Sequence, residues 1–167
     1  MQETMLGFMR FSRETADPVP TDRLHTFAPD ARLTFGGAEW QSIHTPGHAS
    51  HQICFYQPES RQFLAADMLL EKTPTPVIER PASGRLDVRH DPSLPRFLDA
   101  LTAVNALDIA TVYPGHGEPF TDYHALIARQ QRRIGRRKAK TRTLIESGYD
   151  TVLKLVNEMY AHYPPTY

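Results

Sequence analysis

Two turns of the same kind constrain this chain more than any other feature. Thr45-Pro46-Gly47-His48 and Tyr113-Pro114-Gly115-His116 each set a histidine directly after a Pro-Gly pair. The first turn lies between the β-prone runs "AEWQSIH" and "QICFY", and the second closes "IATVY". Between them, "RQFLAAD" reads as a short strand ending on Asp67. Strand ends and tight turns are rigid, and a glycine beside a side chain lets the backbone approach it without a Cβ clash. The order strand-turn-His, strand-Asp, strand-turn-His is what a metal site at one edge of a sheet requires, because zinc binds imidazole nitrogen and carboxylate oxygen from fixed positions. His48, Asp67 and His116 are therefore the candidate metal ligands.

The other histidines lack that context. His44 is expected to end a strand, and His51 fits an outer role of the kind that metal-binding imidazoles require. His25, His90, His124 and His162 have no supporting neighbours. Cys54, the single cysteine, lies in an apolar alternating run and reads as a small core residue.

The rest of the chain places these turns. "ARLTFGGAEWQSIH" reads as a hairpin around Gly36-Gly37, and "QICFY" and "RQFLAAD" as two further strands joined by "QPES". A proline-rich stretch, 71–93, has no clear period, and a loop of that length is usually functional or disordered. Leu94, Phe97, Leu98, Leu101, Val104 and Leu107 follow helical spacing, with Ser93 as the expected N-cap. Residues 120–147 read as a long polar helix stopped by Gly148. A second helix follows, with Val152, Leu155, Val156 and Met159 on one face.

Bulk properties narrow the setting. A chain of 167 residues is one ordinary domain with room for a small appendage. Nineteen basic residues balance nineteen acidic ones, so net charge selects no partner. One cysteine excludes an internal disulfide framework. The first residues lack a continuous apolar core, and no window approaches the roughly 20 apolar residues of a membrane span. The expectation is a soluble, cytoplasmic protein. The even total conceals "RQQRRIGRRKAKTR", residues 129–142, with eight basic residues and no acidic one. It reads as a solvated helix face or as a phosphate-binding stripe suited to RNA.

"HTPGHASHQICFY", "LAADMLL" and "VYPGHGEPF" together resemble the later metal motifs of the metallo-β-lactamase superfamily, over roughly residues 31–121. The resemblance implies an α/β fold, the C-terminal half of an αβ/βα sandwich, with a helical extension. The expected division is 1–121 for the partial metallo-β-lactamase-like domain and 122–167 for the extension. It implies two zinc ions, His48 binding the first, Asp67 bridging both and His116 binding the second. It also implies hydrolysis of an ester, thioester, amide or phosphodiester by a metal-activated water. This chain departs from the family in lacking a His-x-His-x-Asp-His run. Gln52 stands where many relatives place a second histidine, and Ala66 where a glycine usually precedes the bridging aspartate.

These departures imply a truncated or inactive hydrolase as an isolated chain, with weak or partial zinc binding. The expected partners are a small ester or thioester substrate or RNA, and no membrane. A second copy of the chain, or a chain supplying the missing half, is also expected. The alternative function is a vestigial, non-catalytic protein that binds nucleic acid through the basic helix.

Overall fold

The computed structural model describes residues 19–77 and 92–161. Part of the proline-rich stretch, together with His90 and His162, lies outside the described residues.

Five strands form one sheet in the order β1-β2-β3-β4-β5: Arg32–Phe35, Ala38–His44, Ile53–Gln57, Gln62–Ala66 and Thr111–Pro114. The first four are antiparallel neighbours, and β5 adds parallel to β4. The β1–β2 hairpin turns on Gly36 and Gly37, with φ of 59° and 76°, values that a two-residue hairpin loop requires at both centres. As expected, His44 ends β2. The strand before Asp67 stops one residue earlier than its sequence suggests. Ala66 has φ of 44°, and this left-handed residue turns the chain out of the ladder and leaves Asp67 in the turn.

Parallel pairing of β4 and β5 requires a crossover, which helix α1 (Ser93–Asn105) supplies. Its buried residues Phe97, Ala100, Leu101 and Val104 recur at the spacing of one helical face. They pack on Cys54, Tyr56, Phe63, Ala65 and Val112 from one face of β3, β4 and β5. Ser93 is the first helical residue and Pro92 occupies the N-cap, without a side-chain cap bond. The expected cap is therefore displaced by one position. An extended Pro92, with ψ of 123°, carries the chain into the helix instead.

Helix α2 (Tyr123–Glu146) starts at Asp122, whose carboxylate accepts from the Ala125 amide. Its first two turns bury Tyr123, Leu126 and Ile127 in the same core and Gln130 beside it, and the remainder extends beyond it. Gly148, at φ of 93°, follows the end of α2 and leads to α3 (Val152–Tyr160). The expected α3 face is split: Leu155 and Met159 are half-buried, while Val152 and Val156 are exposed. Met159 meets the Thr141 hydroxyl across the helix pair. One short helix against one long one buries a stripe only two residues wide.

The second sheet face carries Leu33, Phe35, Trp40, Phe55, Leu64 and Tyr113, paired across neighbouring strands. Phe35 stacks on Trp40 and meets Phe55 edge-on, and Phe27 leans over Phe55. Trp40 is thereby buried, whereas Phe35 and Tyr113 remain 38% and 37% exposed. Among the described residues no second layer of helix or strand covers this face.

Candidate metal centre

Three connections at one edge of the sheet carry the candidate ligands. The β2–β3 loop begins at Thr45, a buried residue whose amide donates to the Gln52 carbonyl and whose hydroxyl contacts the Cys54 sulfur. Gly47 follows at φ of 145°, and a Cβ there would lie 2.5 Å from the Phe97 Cβ. Only glycine lets the loop lie this close to α1, and the approach fixes the start of His48.

His48 is held at both ends of its ring. Nδ1 is 2.8 Å from the Pro76 carbonyl oxygen, and Nε2 is 3.3 Å from Asp67 Oδ2. A carbonyl only accepts, so Nδ1 carries the proton of that bond. In a neutral ring this leaves a bare lone pair on Nε2 facing a carboxylate oxygen. Either a proton on Nε2, making an ion pair, or a metal ion between the two atoms satisfies such a pair.

Asp67 follows the Ala66 turn and is pinned from the neighbouring strand end. Gly115 donates its amide to the Ala66 carbonyl at 2.7 Å. A Cβ on Gly115 would lie 2.6 Å from Asp67 Oδ1. The other carboxylate contact is His116 Nε2, 3.6 Å from the same Oδ1. The turn that carries His116 is closed at its base by two backbone bonds between Val112 and Phe120, which brings the chain back on itself. Asp67 and His48 are about one quarter exposed, at 29% and 24%, whereas His116 is 79% exposed.

The structure thus brings the three sequence candidates together, with Asp67 in the middle and a separate oxygen turned to each imidazole. Ligand atoms about 2.1 Å from a tetrahedral zinc lie about 3.4 Å apart. Each separation, 3.3 and 3.6 Å, matches an edge of such a tetrahedron and equally a direct imidazole–carboxylate pair. Each edge supplies two ligands. Among the described residues, no group of three or more His, Cys, Asp or Glu side chains closes around one metal position.

The remaining candidates stand aside. His44 Nε2 contacts the Ser50 carbonyl inside the loop, and His124 Nδ1 contacts Asn105. His51 is exposed and His25 lies in the exposed segment before β1. Cys54 is fully buried, its thiol donates to the Ala65 carbonyl, and burial pushes its pKa up to about 11. A thiol in that state is a core group rather than a ligand.

Sequence reasoning missed the partner that orients His48. Pro76 comes from the proline-rich stretch, and a backbone carbonyl leaves no residue-type signal. Its position is set nearby: Thr75 donates to the Met68 carbonyl, and Arg129 from α2 donates to the Glu71 carbonyl.

The His48–Asp67–His116 set lies at one edge of the sheet of an α/β layer, and the comparisons give the family of that fold. The Metallo-beta-lactamase superfamily matches residues 1–116, and the chain belongs to it. It is 30% identical over 122 residues to the probable metallo-hydrolase YqjP of Bacillus subtilis (strain 168), covering 72% of this chain. The fold is similar to a beta-lactamase domain protein from Burkholderia ambifaria, with a TM-score of 0.65 and 19% identity over 84% of this chain. It is also similar to a metallo-beta-lactamase family protein from Thermus thermophilus, with a TM-score of 0.56 and 23% identity over 78% of this chain. The chain spans 37% of the Bacillus protein's length, and 44% and 46% of the two structures. Among the described residues no helix is long and apolar enough to cross a membrane.

Proposed function

We propose that this chain carries part of a zinc-dependent hydrolytic centre that cleaves an ester, thioester or phosphodiester. His48 and His116 would each hold one metal, with Asp67 shared between them. The observation that carries this reading is the split carboxylate: Asp67 turns Oδ2 to one imidazole and Oδ1 to the other. The likeness to a probable metallo-hydrolase supports the same class. When bound, the metal supplies an acidified water able to attack a carbonyl or phosphoryl centre near neutral pH. The chain's own residues fix the ligands. Pro76 sets the His48 tautomer, Gly115 and Ala66 aim the carboxylate, and the Val112–Phe120 pair sets the His116 turn.

With two protein ligands on each edge, this 167-residue chain by itself binds zinc weakly and lacks hydrolase activity. A second chain supplying further ligands would restore both, and the half-covered sheet face around Phe35 and Tyr113 is the surface on which it, or a second copy, would sit. Sedimentation velocity tests self-association: a monomer at high concentration argues against the second copy.

The test of the metal reading is thermal unfolding with and without added zinc. A folded-state ligand at tenfold its dissociation constant stabilises by about 1.4 kcal/mol. That corresponds to a rise of a few degrees in the melting temperature, on the order of 3 °C for a chain of this size. The rise should vanish in His48→Ala and Asp67→Ala. An equal rise in both variants would remove these residues from the metal site.

A further inference from the structure

The long second half of α2 leaves the core and overhangs a groove of about 880 Å³. Its walls are α2, the N-terminal part of α1, Met159 of α3 and the strap of residues 74–77. The floor is apolar, including Val77, Phe97, Ile134 and Met159. The α2 wall carries Arg133, Arg137, Lys138 and Arg142, four cations against the one carboxylate among the lining residues, Glu146. All four are exposed, and among the described residues none of them forms an ion pair. Arg137 is held by cation–π contact, its guanidinium 5.3 Å from the centre of the Tyr160 ring.

Gln130 gives a second, independent sign of a ligand. It lies in the groove wall, only 7% exposed, yet neither its amide nitrogen nor its carbonyl oxygen has a hydrogen-bond partner. A buried amide without partners is costly, so native proteins rarely leave one without a reason. The amide atoms are covered as the side chain stands, and a ligand carrying a donor and an acceptor would satisfy them once it turns toward the groove.

We propose that this groove binds a single soluble amphipathic anion: an acyl or alkyl body on the apolar floor, a polar linkage at Gln130, and a phosphate or carboxylate head among the α2 cations. An apolar floor with a buried amide does not suit a polyanion. RNA would engage the cations on the outer helix face and leave the floor empty. The groove also adjoins the candidate metal centre. Pro76 lines it while its carbonyl holds His48, and Phe97 lines it while its side chain backs Gly47. That the bound anion is the non-reacting part of a hydrolase substrate rests on the metal reading above. That the groove binds it does not.

The experiment is calorimetric titration of the full chain in EDTA with decyl phosphate below its micelle concentration. Inorganic phosphate and a single-stranded RNA oligonucleotide are titrated in parallel. Decyl phosphate should bind one-to-one and at least tenfold tighter than inorganic phosphate. Ile134→Trp, which fills the floor, should weaken it at least tenfold. Lys138→Glu and Arg142→Glu, on exposed positions that leave the fold untouched, should each weaken it about threefold or more. Equal affinity for decyl and inorganic phosphate would overturn the proposal. So would decyl phosphate binding that all three variants leave unchanged, or tighter RNA binding that Ile134→Trp does not alter. Because no metal is present, failure here leaves the zinc-dependent melting test unaffected, and failure of that test leaves this one standing.

Discussion

Gly115 lies so close to Asp67 that a Cβ on it would sit 2.6 Å from Oδ1 and 3.1 Å from the Ala66 carbonyl carbon. The first contact is with a side chain that can move, and the second is with backbone that cannot. A Gly115→Ala change should therefore displace the carboxylate first and strain the β4–β5 junction second. The expected cost is about 1–3 kcal/mol in chemical unfolding, the range for overpacking a tight site. Any zinc-dependent stabilisation should disappear with it. Gly117→Ala, where a Cβ would meet nothing within 4 Å but φ is 99°, carries a backbone cost without a contact, the reverse of Gly115, whose φ is not positive.

Ala66 tests the same junction from the other side. Its φ of 44° places an alanine in the left-handed region, which costs roughly 1–2 kcal/mol relative to a right-handed residue. Glycine removes that strain and adds about 0.5–1 kcal/mol of unfolded-state entropy. Relief of the strain outweighs the entropy. Ala66→Gly should thus stabilise the chain by about 0.5–1 kcal/mol in denaturant titration, and Ala66→Val should destabilise it. A loss of stability in Ala66→Gly would show that the turn is not strained.

Cys54 gives a pH signature. Burial raises its pKa from 9.0 to about 11, so between those values the folded state keeps a proton that the unfolded state releases. The contribution is fully present below about pH 9 and is lost as pH rises toward 11. Two units correspond to about 2–3 kcal/mol. Tyr56, whose pKa burial also raises, acts in the same direction, so the comparison is with Cys54→Ala. Stability of the parent should fall more steeply than that of the variant across this window. Identical slopes would mean that the thiol is accessible in the folded chain. Native alkylation at pH 8 should also run about 100-fold slower than in denaturant.

The sheet and helices were legible where pattern and turn chemistry agreed. Gly36-Gly37 marked the first hairpin, alternation gave β3 and β4, and the spacing of Phe97, Leu101 and Val104 gave the buried face of α1. The candidate centre was legible because Pro-Gly-His recurs at strand ends with Asp67 between. The less legible parts are long-range contacts. No local pattern announces that Pro76 lends a carbonyl to His48, or that Phe97 needs a glycine at position 47. The two-residue buried stripe of α3 escaped for the same reason. Periodicity gives a face, and only packing against α2 shows that Val152 and Val156 lie at its edge and stay exposed.

The central claim is that Asp67 joins two weak half-sites. Equilibrium dialysis of the EDTA-stripped chain against graded zinc, with bound metal read by elemental analysis, tests it most directly. The expected result is reversible binding with a dissociation constant on the order of 10–100 μM, about 7–5 kcal/mol. Binding should be lost in Asp67→Ala and reduced, not abolished, in His116→Ala. Stoichiometric zinc that survives purification, or binding that persists unchanged in Asp67→Ala, would contradict it.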